Sequence, residues 1–231
     1  MPRNTVRQRM AEPADLADLR ADHDRAARLS AAMKLDAHLR RGHAAAGRAY
    51  VAGLLRHGRL DDALDLGREL AELAARWPDE AYPRQCAAEV CLALIQACCA
   101  AGDIETAHEI AETVAHFAFG HGDHPELQAI LAEGGLTLLC AYADRHRVEE
   151  ARAVHVSLRN LAEAGTAGAV LLLRRVQGSA RLAQLEAAHG AADRARTLHA
   201  ELEHLARVHG HMPELREAVH AADRAISAHP A

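Results

Sequence analysis

The feature that most constrains this chain is a gap-free period of 44 residues. The segments HGRLDDALDLGREL, AGDIETAHEIAETV, RHRVEEARAVHVSL and HGAADRARTLHAEL set Gly58, Gly102, His146 and Gly190 at one offset, each 44 residues beyond the last. The same step carries Ala63 to Ala107, Ala151 and Ala195, and Leu70 to Val114, Leu158 and Leu202. Upstream, Leu39, Leu127, Leu171 and Leu215 keep phase with Pro83 in the second slot, and Pro125 and Pro213 stand two periods apart where a proline suits the opening of a helix. A chain that holds small and large apolar positions in register over four units is built to stack like units, each burying its apolar face on the next.

Composition decides what the units are made of. Half of the residues are hydrophobic but only 3% are aromatic, and alanine and leucine dominate, which favours helix over strand. The glycine marks a turn past a helix end, where a left-handed backbone costs glycine nothing, and His146 breaks that rule once. Each unit therefore reads as helix A, short turn, helix B: about 37–57 with 60–77, 81–101 with 103–120, 125–145 with 147–163, and 169–189 with 191–208. One period back, Leu16 and Met33 fall in phase with Leu60 and Trp77, so residues 14–33 read as an unpaired helix B, and residues 213–229 as an unpaired helix A. The expected organisation is a tail over 1–12, an N-terminal capping helix over 13–36, four hairpins over 37–212 and a C-terminal capping helix over 213–231. The half-units would shield the open ends of the stack.

The turn glycine followed five positions later by a helix B alanine, as in Gly58 with Ala63, Gly102 with Ala107 and Gly190 with Ala195, resembles the tetratricopeptide repeat (TPR) pattern. The resemblance covers about residues 37–210. It implies an all-α, right-handed solenoid of antiparallel helical hairpins, about ten helices in all, that binds a protein or peptide in the groove lined by helix A. The units depart from the family norm of roughly 34 residues and match its tryptophan and proline positions weakly. Long units of this kind are similar to those of kinesin light chains and of the sensor arms of some bacterial transcriptional regulators, although no DNA-binding segment is read here.

Charge narrows the partners. Lys and Arg total 27 against 32 Asp and Glu, for a net charge of −5, mixed along the chain, so no nucleic-acid footprint is seen. Arg3, Arg7 and Arg9 precede no apolar run, no uninterrupted apolar stretch is read as spanning a bilayer, and the five cysteines form no regular disulfide framework. The expectation is a cytoplasmic protein with no nucleic-acid or membrane partner.

Helix A of the second unit, CAAEVCLALIQACCAAG, carries only Glu89 and Gln96 as polar side chains apart from cysteine, seven residues and so two helical turns apart on one face. The same positions recur as Glu133 with Cys140 and as Gln177 with Gln184, with Ala45 and Ala52 in the first unit. In the resembled family these positions line the concave groove. The candidate partner site is thus an acidic patch of Glu89 and Glu133, continued by Gln96, Cys140, Gln177 and Gln184 and flanked by Arg48 and Arg181. The competing reading makes them merely the solvated positions of their helices.

Histidine is abundant, at 17 residues, with His116, His121 and His124 in one cluster and His204, His209 and His211 in another. His116 and His204 lie 88 residues apart, as do His121 and His209, and HExxH is absent, so these clusters follow the repeat and read as caps of helix ends rather than as a zinc site. Vicinal Cys98 and Cys99, with Cys91 on the same helix, read as small packing residues. Gly47, Cys91, Gly135 and Ser179 share one repeat position, where only small groups are expected to fit. No phosphate loop, nucleophile elbow or acid–base pair is present, so no catalytic residue, metal or cofactor is expected. A binding scaffold comes first, a sensor of a small molecule or signalling peptide second, and an enzyme with a histidine metal centre third.

Overall fold

The computed structural model describes residues 13–119, 124–166 and 168–229, which form ten helices and no strand. The helices are α1 (Ala14–Ala32), α2 (Ala37–Arg56), α3 (Leu60–Arg76), α4 (Ala81–Ala101), α5 (Ile104–Phe119), α6 (Pro125–Asp144), α7 (Val148–Ala164), α8 (Gly168–Ala188), α9 (Ala192–Val208) and α10 (Pro213–Ala228). Even-numbered helices are the A type and odd-numbered ones the B type. The proposed tail over residues 1–12 and His121 lie outside the described residues.

The four turn positions behave as one motif. Gly58, Gly102 and Gly190 have φ of 68°, 95° and 74°, and His146 has φ of 57°, the one non-glycine in that region among the described residues. At each turn the same two backbone bonds close the end of helix A: Gly58 N–H to Leu55 and Arg59 N–H to Leu54, then Gly102 to Cys99 and Asp103 to Cys98, His146 to Ala143 and Arg147 to Tyr142, and Gly190 to Ala187 and Ala191 to Glu186. This is the Schellman arrangement, in which a left-handed residue satisfies carbonyls that the helix leaves open. Pro125 and Pro213 occupy the first turns of α6 and α10, where a missing N–H is harmless.

Backbone proximity divides the chain within α4 into two compact units, Met1–Val90 and Cys91–Ala231. In the first, α2 packs against α1 and α3. In the second, α6, α8 and α10 pack in succession, and each of α5, α7 and α9 packs on the A helix that follows it. The alanines at the repeat position after the turn, Ala63, Ala107, Ala151 and Ala195, are all wholly buried. The small A position faces the large B position: a Cβ on Gly47 would stand 2.6 Å from Leu70 Cδ2, and one on Gly135 would stand 3.1 Å from Leu158 Cδ2. Glycine lets these helices approach to a distance at which leucine fills the gap.

Arg40 and Glu186, two of the buried charged residues, are both partnered. Arg40 pairs with Glu80, lies 4.0 Å over the Trp77 ring and donates to the Lys34 carbonyl, so it ties the α1–α2 and α3–α4 linkers to α2. Glu186 receives Arg152 in a two-point pair of 2.5 and 2.7 Å. α4 is long and apolar enough, by length and a mean hydropathy of 1.2, to cross a membrane, where the sequence reading found no such stretch. Half of that window is buried inside the protein, and Ala88, Val90, Leu94, Ile95 and Cys98 give it the composition of a core helix.

Candidate functional site

The repeat positions singled out on helix A are open to water to different degrees. Within residues 91–231, Gln96 on α4 and Gln177 on α8 are exposed, and Glu133 and Cys140 on α6 and Arg181 and Gln184 on α8 are half-buried. Arg174, one turn before Gln177, was not anticipated by sequence reasoning. Its Nε lies 2.5 Å from Glu133 in an ion pair whose geometry is not that of a hydrogen bond, and its Nη1 donates to Gln177 Oε1 at 2.8 Å. Arg181 donates to Gln184 Oε1 at 3.2 Å and pairs with Asp144 on α6. The face is a ladder of alternating donors and acceptors across α6 and α8.

Within residues 1–90, Arg48 on α2 pairs with Glu89 on α4, and Gln85 Nε2 donates to the same carboxylate at 3.1 Å. The Glu89 carboxylate raises the Arg48 pKa still further. Both carboxylates of the expected acidic patch therefore have a guanidinium partner. The signal in the sequence is a spacing: Arg48 and Glu89 lie 41 residues apart, as do Glu133 and Arg174, although the order of the charges is reversed and Arg174 is out of the 44-residue phase.

Cys86, Cys91 and Cys98 are packing residues, and Cys99 and Cys140 are half-buried. All five are free thiols, Cys86, Cys91 and Cys98 are buried, and burial pushes Cys91 up to about 12 and Cys98 up to about 11. Burial also raises Cys140, against the pull of nearby Arg181. Buried thiols held above their ordinary range are poor nucleophiles at neutral pH.

The histidines divide by position. His116 lies in the last turn of α5 and His209 is the residue that ends α9, whereas His124 stands at the start of α6. Ring nitrogens meet helix carbonyls at His189, 2.9 Å from Leu185 O, and at His229, 3.1 Å from Ala225 O. His155 is buried, and its Nε2 lies 2.8 Å from Ser179 Oγ; burial, then Arg159 and Arg175, lowers its pKa to about 4.

Sequence reasoning passed over His23, His43 and Glu69. They come from α1, α2 and α3, and a ligand atom of each lies within 4.8 Å of the other two. Their spacing of 20 and 26 residues matches no linear metal motif, and only helix packing brings them together.

Residues 89–111, from Glu89 in α4 through the Gly102 turn into α5, match the PPR repeat family. No curated protein and no solved structure matches the chain. The PPR match and the ten helices joined through a repeated turn support a helical-repeat protein of the TPR-like superfamily. Repeats of this kind serve as scaffolds that bind proteins or RNA.

Proposed function

We propose that this protein is a binding scaffold that holds an extended segment of a partner protein on the helix A face of residues 91–231, through Gln96, Glu133, Cys140, Gln177, Arg181 and Gln184. The observation that carries the reading is the donor–acceptor ladder across α6 and α8, in which Arg174 and Arg181 link the repeat positions Glu133, Gln177 and Gln184. Glutamine amides both donate and accept, which suits the main chain of an extended peptide. The internal ion pair of Glu133 with Arg174 leaves the row close to neutral, so the fitting segment is polar or mixed in charge rather than strongly basic. In residues 1–90, Arg48 and Glu89 form the equivalent pair and would serve the same role on their own helices. The long units resemble those of kinesin light chains and of regulator sensor arms, which supports a peptide ligand, and a signalling peptide or small molecule is the alternative occupant. The five free thiols fit a reducing compartment, and a cytoplasmic location is part of the proposal.

The test is a peptide-display selection on the full chain, with affinities of selected peptides then read by fluorescence anisotropy. A Gln177→Ala/Gln184→Ala variant should bind roughly five- to a hundredfold more weakly, since each of the two lost hydrogen bonds removes about 0.5–1.5 kcal/mol. Arg196→Ala, on the exposed side of α9, should change nothing. Unchanged affinity in a folded double variant refutes the site.

RNA is the second reading, favoured by the PPR match. Against it stand a net charge of −5, 3% aromatic content and a carboxylate on the face itself. Labelled single-stranded RNA homopolymers should show no saturable binding at physiological salt, and saturable binding lost in Arg174→Ala/Arg181→Ala would replace the peptide reading.

A further inference from the structure

The three helices of residues 1–90 enclose a set of groups that the binding face does not use. His23 on α1 and His43 on α2 are buried, with side chains only 7% and 9% exposed, and the Nε2 of each is shut off from solvent with no hydrogen-bond partner. Their rings lie 5.1 Å apart, and the Tyr50 ring lies 5.9 Å from His23. Glu69 on α3 points its Oε1 at both, 3.5 Å from His43 Nε2 and 4.0 Å from His23 Nε2. Both distances exceed a formed N–H···O bond. Buried polar nitrogens nearly always have a partner, so two orphans facing one carboxylate call for a group between them.

The repeat itself offers an internal control. His155 occupies the same repeat position as His23, three periods on, and is satisfied by the Ser179 hydroxyl. The position matching Ser179 in the first unit is Gly47, which has no side chain to donate or accept. His23 thus lacks the partner that its counterpart has, and His43 and Glu69 stand near its nitrogen instead.

We propose that His23, His43 and Glu69 bind one divalent transition-metal ion of zinc type, which pins α1 to α2 and α3. Two imidazoles and one carboxylate form a known zinc donor set, with water as fourth ligand. Ligand atoms about 2.1 Å from a tetrahedral ion stand roughly 3.4 Å from one another, close to the 3.5 and 4.0 Å found between Glu69 and the two rings. The chemistry of each donor agrees. Burial holds His23 toward the neutral form that ligates, while the His43 contact keeps the Glu69 carboxyl below its ordinary range and so anionic. Asp24 Oδ1 lies 3.8 Å from Nδ1, the other ring nitrogen of His23, beyond the length of a formed hydrogen bond. Glu69 is half-exposed, which gives the ion its path in and leaves room for the water.

The experiment uses the full chain, stripped with chelator and titrated with zinc sulfate against a chromogenic competitor, with Co(II) as a spectroscopic probe. The expected result is about one zinc per chain, a visible Co(II) d–d band without the near-ultraviolet band of thiolate ligands, and a melting temperature that rises with zinc. Glu69→Gln and His43→Ala should each weaken binding at least about tenfold, and His124→Ala should not. Circular dichroism checks that each variant is folded. Should His43→Ala not fold, Glu69→Gln decides, because its half-exposed position tolerates the change. The proposal is overturned by zinc uptake equal in the parent and in Glu69→Gln, by uptake kept in a folded His23→Ala/His43→Ala variant, or by a thiolate band showing that cysteines hold the ion.

Discussion

Replacing His146 with glycine should stabilise the protein, and the size of the gain follows from one dihedral angle. His146 sits at φ of 57°, where the other three turns place glycine, and its backbone makes the same two bonds as they do. A side chain in the left-handed region costs about 1–2 kcal/mol. Glycine returns about 0.4–1 kcal/mol of that through the greater freedom of its unfolded chain. The net expectation for His146→Gly is about 0.5–1 kcal/mol of added stability, or about 1–4 °C in melting temperature for a chain of this length. The mirror experiment is Gly190→Ala. A Cβ at Gly190 would meet nothing within 4 Å, so its cost is purely conformational and should be a loss of similar size. The His146 ring lies 5.2 Å from that of His189, and His189→Ala in parallel measures whatever that contact contributes. Differential scanning calorimetry on the three variants gives the answer. A lower melting temperature for His146→Gly with His189→Ala neutral, or no change for Gly190→Ala, would refute the claim that one left-handed turn geometry governs all four hairpins.

Other outcomes follow from burial. Ala107 is wholly buried, so Ala107→Leu should overpack its site and cost about 1–3 kcal/mol, seen as a lower urea midpoint; an unchanged midpoint would mean that the contact is not close. Cys91 and Cys98, pushed up to about 12 and 11, should resist iodoacetamide at pH 8 in the native protein while all five thiols react in urea, and intact mass reports the count. His155, lowered to about 4, binds its proton in the unfolded chain before the folded one, so stability is fully present above about pH 6.5 and falls as pH drops toward 4. The loss should reach on the order of 3 kcal/mol, and His155→Gln should flatten it in urea titrations run across that pH range.

Much of the architecture is legible in the chain because its determinants are local and repeated. A left-handed turn residue that is glycine in three units and histidine in one, a buried alanine five positions later, and a large apolar residue, leucine or valine, at a further shared offset each recur every 44 residues, and the observed helices begin and end within a residue or two of the bounds that this period implies. The candidate binding row is half legible. Glu133 and Gln177 share one repeat phase and Cys140 and Gln184 another, but Arg174 belongs to neither, and its pairing with Glu133 depends on how long side chains reach between stacked helices. That pairing replaces the expected acidic patch by a nearly neutral ladder, because opposite charges on adjacent helices settle against each other before any partner arrives. The cluster of His23, His43 and Glu69 left no trace in spacing. Its three residues lie on separate helices at unrelated repeat positions, so their approach is a property of how α1, α2 and α3 pack. Backbone conformation and helix register are decided by neighbours in the chain, and the sequence by itself determines them here; which side chains meet across helices is decided by rotation and approach in three dimensions, and only the tertiary structure settles it.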